Sequence, residues 1–167
     1  MEPYPLSLIM ILIKEWIKMN LSPQPESALQ KPQKVVLVVE GATPALGQAS
    51  QAIKYGDIVY ISGQLPIDPQ SSKLVENDIT VQTEACLQSI QKIADFVGGA
   101  LSNVMKMTIY VVAMEDLPAM EKVYKKYFSY QPPARTIVGV ARLPMNARIQ
   151  MDAIIYPPTR EKATSAF

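Results

Sequence analysis

The sequence predicts an α+β domain, in which a mixed β-sheet is covered on one face by two helices. Short runs rich in β-branched residues recur along the chain, and two longer stretches between them carry apolar residues at helical spacing. The resulting order is β-β-β-α-β-α-β-β. Because the two helices follow non-adjacent strands, both can pack on the same side of one sheet.

The first three strands are predicted from β-branched runs and one turn. Lys34–Glu40 contains an unbroken apolar run that is valine apart from one leucine, a composition typical of strands. Gln51–Tyr55 and Asp57–Ser62 are predicted to pair as a hairpin, since the Gly56-Asp57 turn between them begins with glycine.

Two helices are predicted from apolar residues that recur every three or four positions. The first spans Asp78–Val97, with Asn77 or Asp78 able to cap its amino end. The second spans Leu117–Phe128, with Asp116 as its predicted N-cap. Both stretches keep apolar side chains on one face, so each helix is expected to pack against the sheet.

The remaining strands are predicted for Ser102–Ala113, Ala134–Ala141 and Ala147–Tyr156. The last two are separated by a short connection around Pro144 and are predicted to form a hairpin. Ser102–Ala113 and Lys34–Glu40 are apolar on both faces, while the domain supplies only two helices. An uncovered apolar face would be larger than monomers usually expose, so the sheet is predicted to pack on further copies of itself.

A candidate site lies in this C-terminal hairpin. Arg135 begins its first strand, and Gln150 and Asp152 share a face of the second because side chains alternate along a strand. A guanidinium facing this polar pair would suit a small carboxylate, which arginine binds with two parallel hydrogen bonds. The alternative interpretation, a solvated or salt-bridged surface arginine, stays open on spacing alone.

The composition excludes several kinds of site. The chain of 167 residues has no histidine, which excludes Ser-His-Asp and Cys-His catalysis and HExxH zinc sites. Its one cysteine, Cys86, excludes an internal disulfide and a CxxC motif, and no metal or cofactor site is predicted. A net charge of +1 gives no sign of a surface that binds nucleic acid.

The two ends of the chain differ from this domain. Residues 1–33 are predicted to be an extension that ends in a proline-rich linker, 34–158 the folded domain and 159–167 a polar tail. The apolar run Leu6–Ile13 is too short to span a bilayer and lacks the positive flank of a secretory signal. We therefore expect a cytoplasmic protein, with the mitochondrion as the alternative. Met19 is an alternative start.

Two separated blocks of sequence resemble the RidA/YjgF family of imine deaminases, whose members are also labelled L-PSP endoribonucleases. The resemblance covers about residues 42–156, and the order and spacing of both blocks suit the family. The stretches that carry it are Leu46–Ala52 (LGQASQA), Val59–Pro66 (VYISGQLP), Pro133–Thr136 (PART), Val140–Pro144 (VARLP) and Ile149–Ala153 (IQMDA).

This resemblance implies a chorismate-mutase-like fold that assembles as a homotrimer, in which three sheets form a central barrel and ligands bind in clefts between subunits. It implies that Arg135 grips the carboxylate of a 2-imino acid, and that Ser62, Gly63 and the backbone of Ile137 line the same cleft. The implied ligands are small 2-imino or 2-keto carboxylates, and no cofactor is implied.

Three positions depart from the family pattern. Ala49 stands where the family has a tyrosine, and Ile137 where it has a cysteine. Gln150 replaces the glutamate that orients water and shuttles protons, and an amide cannot titrate. Asp152 is the nearest carboxylate on that face, ~6.5–7 Å further along the strand. A Gln150→Glu change would restore a carboxylate, whose pKa Arg135 is predicted to lower.

Three functions fit this sequence. The first is an enzyme that hydrolyses 2-iminobutanoate- or 2-iminopropanoate-like compounds to 2-keto acids and ammonia, with Arg135, Gln150 and Asp152 as the catalytic residues. The second is a trimer that binds small carboxylates without turnover. The third, a ribonuclease, is the least favoured, because the chain lacks histidines and basic stripes.

Overall fold

The computed structural model describes residues 10–16 and 32–158. The chain separates into two compact units, Met1–Pro32 and Gln33–Phe167. In the first unit, residues 10–16 are helical and their side chains are exposed. Within the described ranges, no helix combines the length and the apolar character that crossing a membrane requires. The predictions for the linker and for the 159–167 tail fall almost entirely outside those ranges.

The second unit follows the predicted order of elements, and most elements are a few residues shorter than predicted. Short 3₁₀ turns precede the fourth strand and the second helix. The strands are β1 (Lys34–Leu37), β2 (Ala52–Tyr55), β3 (Ile58–Gln64), β4 (Val104–Val111), β5 (Ala134–Gly139) and β6 (Ile149–Ile155), and the helices are α1 (Ile79–Phe96) and α2 (Leu117–Tyr127).

The six strands form one mixed sheet in the order β1-β2-β3-β6-β4-β5. The strands β4 and β5 run parallel because α2 connects them as a crossover, and the other neighbours are antiparallel. The prediction that β5 and β6 form a hairpin is wrong, since β4 lies between them. Alternating side chains identify a strand but not its neighbour, and here the β4-α2-β5 unit decides which strand β5 joins.

One face of the sheet packs against both helices and forms the main core, as predicted. The helix α1 contributes Ile90 and Ile93 to this core, and α2 contributes Met120, all of them fully buried. The strands contribute alternate side chains: Val59, Ile61, Met107, Ile109, Val111, Ile149, Met151, Ala153 and Ile155.

The other face of the sheet, which we call the open face, is more polar than predicted. Lys106, Thr108 and Tyr110 of β4 are half-buried there and alternate with buried core residues. The expectation that this strand is apolar on both faces is therefore wrong. A register shift next to Val104 lets both Val104 and Met107 point into the core, which sends the polar side chains to the open face.

Four apolar side chains on the open face form a row, which crosses the sheet through paired positions of four strands. This apolar row consists of Val36, Ile53, Tyr60 and Ile154. Val36 and Tyr60 are 54% and 46% exposed. The need for a covering layer thus applies to part of the open face rather than to all of it.

The two helices begin in different ways. Asp78 caps α1, because its carboxylate accepts hydrogen bonds from the N–H groups of Thr80 and Val81 at 2.8 and 3.1 Å. Asp116 stands at the predicted N-cap position of α2, but its side chain does not cap the helix. Its carboxylate binds the guanidinium of Arg148 instead, through hydrogen bonds of 2.6 and 3.0 Å.

Candidate functional site

Arg135 lies on the helix-covered face of the sheet, in the edge strand β5. It is paired with Met107, a fully buried core residue, so the two side chains point the same way. Its Nη2 lies 2.6 Å from Oε1 of Glu121 on α2, and its guanidinium stands 4.6 Å from the ring centroid of Tyr124. The ion pair and the cation–π contact together orient the guanidinium.

A cavity of about 700 Å³ opens beside this guanidinium, and we call it the Arg135 cavity. Charged side chains line one part of it, and aromatic and proline side chains form a wall. The lining residues are Glu121, Tyr124, Lys125, Phe128, Ser129, Pro132, Pro133 and Arg135. Tyr124 is 4% exposed, and its hydroxyl has no hydrogen-bond partner in the part of the chain that the structure describes. Burial raises the pKa of Tyr124 to about 12, with Arg135 opposing the shift and Glu121 adding to it, so the phenol stays neutral well above physiological pH.

A second group of candidate residues lies on the open face. We call it the Gly63 cluster, and it consists of Ser62, Gly63, Tyr110, Gln150 and Asp152. Gln150 Nε2 donates a hydrogen bond of 3.2 Å to the Gly63 carbonyl oxygen, and the Tyr110 hydroxyl donates one of 3.0 Å to Asp152 Oδ2. The bond to Asp152 raises the pKa of Tyr110, and partial burial adds to the shift. A carboxylate, an amide and a phenol thus meet on this face.

Arg135 does not face Gln150 and Asp152, which the predicted hairpin required. Thr108 of β4 is paired with Asp152 on one side and with Thr136 on the other, so Asp152 and Thr136 share the open face. Successive side chains of a strand point to opposite faces, so Arg135 points to the helices. The two halves of the predicted site are separated by the sheet itself.

Hydrogen bonds to neighbouring residues fix the position of Ser62 and Gly63 in the Gly63 cluster. The Ser62 hydroxyl donates to the Ser50 carbonyl at 2.6 Å. The buried Gln64 donates from Nε2 to the Ser62 carbonyl at 2.7 Å, and its Oε1 accepts from the Ser89 hydroxyl at 2.7 Å. With both ends of its amide satisfied, Gln64 holds the Ser62-Gly63 peptide in place.

Ile137 lies on the same face as Arg135 and packs against the main core. The predicted site residues therefore divide into two sets. Arg135 and Ile137 belong to the helix-covered face, whereas Ser62, Gly63, Gln150 and Asp152 belong to the open face.

Three residues that contact the predicted site residues did not emerge from the sequence, namely Glu121, Tyr124 and Tyr110. Glu121 and Tyr124 lie three positions apart on a predicted helix, so the sequence could have placed them on one face. That this face meets Arg135 depends on β5 pairing with β4, which local patterns do not reveal. Tyr110 could have been found from strand alternation, but its partner Asp152 is set by the β4–β6 register.

The sequence profile of the family described as Endoribonuclease L-PSP matches residues 40–156. The chain belongs to this family, which is the RidA/YjgF family. The resemblance stated from the sequence is confirmed. A RutC family protein of Pyrococcus horikoshii is 42% identical to this chain over 123 residues, which are 74% of this chain and 98% of the relative.

Two relatives in the RidA/YjgF family are named for a reaction. Reactive Intermediate Deaminase A, chloroplastic, of Arabidopsis thaliana is 38% identical over 122 residues, 73% of this chain and 65% of the relative. A 2-iminobutanoate/2-iminopropanoate deaminase of Dermatophagoides farinae is 32% identical over 114 residues, 68% of this chain and 89% of the relative. Among solved structures, E. coli TdcF with bound serine superposes with a TM-score of 0.70 at 28% identity, covering 74% of this chain and 99% of that one.

Proposed function

We propose that this protein binds small 2-imino and 2-keto carboxylates through Arg135 and hydrolyses the imino acids. The observation that carries the proposal is the Arg135 cavity, about 700 Å³ in volume, into which a partly exposed, oriented guanidinium opens. Arginine stays charged at physiological pH and its planar fork matches a carboxylate. The names of the plant and mite relatives support the imino-acid class of substrate.

The proposed reaction adds water to the carbon of the C=N bond and expels the nitrogen. R–C(=NH₂⁺)–COO⁻ and H₂O give R–C(=O)–COO⁻ and NH₄⁺, without any change of oxidation state. The attacking water must lose a proton and the leaving nitrogen must gain one. Asp152 is the titratable carboxylate of the Gly63 cluster, and the Tyr110 hydroxyl, 3.0 Å from it, holds its orientation. Gln150 can orient a water molecule but cannot accept its proton.

Assembly would bring the two halves of this site together. Arg135 and the Gly63 cluster lie on opposite faces of one sheet, so one chain does not place the carboxylate anchor beside the groups that transfer protons. We propose a homotrimer in which a cleft between subunits joins the Arg135 cavity of one copy to the Gly63 cluster of another. The partly exposed apolar row on the open face supports this assembly, because packing against another copy would remove it from water.

A second function is favoured by one observation, the amide at position 150. Its Nε2 donates a hydrogen bond to the Gly63 carbonyl, which fixes a donor where the resemblance implies a titratable carboxylate. A trimer that binds small carboxylates without turnover would need Arg135 and would not need a base at this position.

One pair of measurements separates the two functions. Ammonia release is followed while an amino-acid oxidase generates the imine in situ, and binding of 2-ketobutyrate is measured by calorimetry. We expect binding together with a low but measurable acceleration of ammonia release. Binding without accelerated ammonia release would support the second function, in which the trimer binds carboxylates without turnover. The absence of both binding and ammonia release would refute the proposed role of Arg135.

A further inference from the structure

The charge beside Arg135 bears on which carboxylates its cavity can accept. Arg135 Nη2 and Glu121 Oε1 are 2.6 Å apart, and the two side chains are 27% and 31% exposed. Both line the cavity, so a ligand that reaches the guanidinium also meets the Glu121 carboxylate. The cavity therefore presents a positive and a negative group side by side, rather than a single cationic anchor.

A plain carboxylate is a poor match for this pair. When it binds Arg135, its negative charge comes close to that of Glu121, and like charges at short range in a partly desolvated site repel each other. A ligand with a cationic nitrogen one carbon away from its carboxylate avoids this repulsion. Its carboxylate can bind Arg135 while its N–H groups donate to Glu121, so both members of the ion pair gain an opposite charge.

We propose that the Arg135–Glu121 pair makes this cavity selective for small zwitterions, namely 2-amino acids and protonated 2-imino acids, over 2-keto acids with the same carbon skeleton. The inference deepens the proposed function and rests on Arg135 binding carboxylates. It adds a role for Glu121, which holds the cationic nitrogen and determines specificity.

The remaining lining residues fit the same class of ligand. Phe128, Pro132 and Pro133 form an apolar wall that suits a short aliphatic side chain. Lys125 lies one helical turn after Glu121 and is the other cation of the cavity. Its positive charge still allows 2-keto acids to enter. Glu121 is therefore expected to lower the affinity for 2-keto acids rather than to exclude them.

Selectivity of this kind would weaken binding of the product. Hydrolysis converts the cationic C=N group of the bound imino acid into a neutral carbonyl and releases the nitrogen as ammonium. The 2-keto acid that remains has lost its contact with Glu121 and keeps only its carboxylate beside that negative charge. The substrate is thus held more tightly than the product, which limits product inhibition.

The test compares 2-aminobutyrate and 2-ketobutyrate, which share one carbon skeleton, by calorimetry on the full-length protein. We expect the amino acid to bind about tenfold or more tightly than the keto acid, as one charge-assisted hydrogen bond would give. Glu121→Gln keeps the size of the side chain and removes its charge, so it should weaken 2-aminobutyrate, strengthen 2-ketobutyrate and cancel the preference. Glu115→Gln, at an exposed glutamate in the 3₁₀ turn before α2, makes the same change of net charge and should leave the ratio unchanged.

The outcomes separate this inference from the proposed function. An unchanged ratio in Glu121→Gln, or tighter binding of the keto acid by the natural protein, would overturn the role of Glu121 while leaving Arg135 as the anchor. Lys125→Gln should weaken both ligands to a similar degree, and a loss of the preference in that variant would move the selectivity from Glu121 to Lys125. If neither ligand binds the natural protein, or if Arg135→Ala binds both as well as the natural protein does, the proposed function itself fails and this inference falls with it.

Discussion

The side chain of Gln150 lies across Gly63, where a β-carbon would stand 2.2 Å from Gln150 Nε2. The missing side chain lets the amide reach the Gly63 carbonyl, to which it donates at 3.2 Å. A glutamate could not make this bond when ionised, because a carboxylate has no proton to donate. The position at which the resemblance implies a glutamate therefore holds a donor that is bound to the backbone in this chain.

Substituting Gly63 tests this relationship. Gly63→Ala is expected to push the Gln150 amide off the Gly63 carbonyl and to destabilise the protein by about 1 kcal/mol, the net value of a typical hydrogen bond. In the double variant Gly63→Ala/Gln150→Ala the clash is gone, so the two single effects should not add. Free energies of unfolding from urea titration provide the measurement, and strict additivity would show that the two residues do not interact.

Gln150→Glu is expected to raise imine hydrolysis by ~10²–10⁴, because it supplies a general base where the natural protein has an amide. The sequence predicts that Arg135 lowers the pKa of this carboxylate, but within one chain Arg135 points to the other face. The new carboxylate would instead face the Gly63 carbonyl and share its strand face with Asp152, both of which raise its pKa.

The pH profile of the Gln150→Glu variant reports which of these surroundings applies. We expect the rising limb of its activity at a pH above ~4.3, the ordinary value for glutamate. If the activity of the variant instead rises at a pH below ~4.3, a guanidinium from another copy reaches the site. If the natural protein is already fast and the variant gains nothing, Asp152 or a bound water performs the proton transfer. Turnover of Asp152→Asn then decides between them, since its loss would assign the transfer to Asp152.

Arg135→Ala is expected to weaken 2-ketobutyrate binding at least tenfold, the effect of losing a charge-assisted bidentate contact. Arg135→Lys should recover little of the loss, because an ammonium lacks the planar fork. Unfolding free energy should change by less than ~1 kcal/mol, since the Arg135–Glu121 pair is about one-third exposed and screened by solvent. Arg142→Ala, at an exposed arginine outside the cavity, is the control. Equal affinities for 2-ketobutyrate in the two alanine variants would show that Arg135 does not bind the ligand.

The assembly can be tested through the apolar row. Light scattering at micromolar concentration should give about three times the chain mass of 18.5 kDa. Tyr60→Glu places a charge in the centre of the row and should dissociate the trimer, because burying an unpaired charge at an interface is costly. Tyr130→Glu, at a tyrosine that is 81% exposed, is the matched control. A stable monomer of the natural protein would contradict the proposed trimer.

The helix cap predicts a pH dependence. Hydrogen bonds from the Thr80 hydroxyl and from the N–H groups of Val81 and Thr80 hold the pKa of Asp78 below its ordinary value. A lowered carboxyl pKa stabilises the fold above the unfolded-state value of ~3.9, and this contribution is lost as the pH falls through the folded-state value. Asp78→Asn keeps a capping oxygen without a charge. Its melting temperature should therefore lie below that of the natural protein at neutral pH and converge with it below pH ~3.9; a constant difference would contradict the charge effect.

The sequence alone determined the class of fold, the order of elements and the family. The β-branched run before Glu40, the glycine turn at Gly56 and the helical spacing after Asp78 are local signals, and each structure they predict depends mainly on neighbours along the chain. The motifs around Gly63 and Arg135 located the candidate site residues for the same reason, because each motif is contained in a short stretch of sequence.

Tertiary structure decided which of those residues meet. Strand alternation placed Gln150 and Asp152 on one face, but it could not tell that β4 separates them from Arg135, because strand order arises from the β4-α2-β5 crossover and its long-range pairing. The register of β5 against β4 turned Arg135 toward Glu121 and Tyr124, and a shift of one residue would have turned it to Asp152. Local patterns therefore specify the residues of the site, whereas the hydrogen-bonded register of the sheet specifies the partners of each.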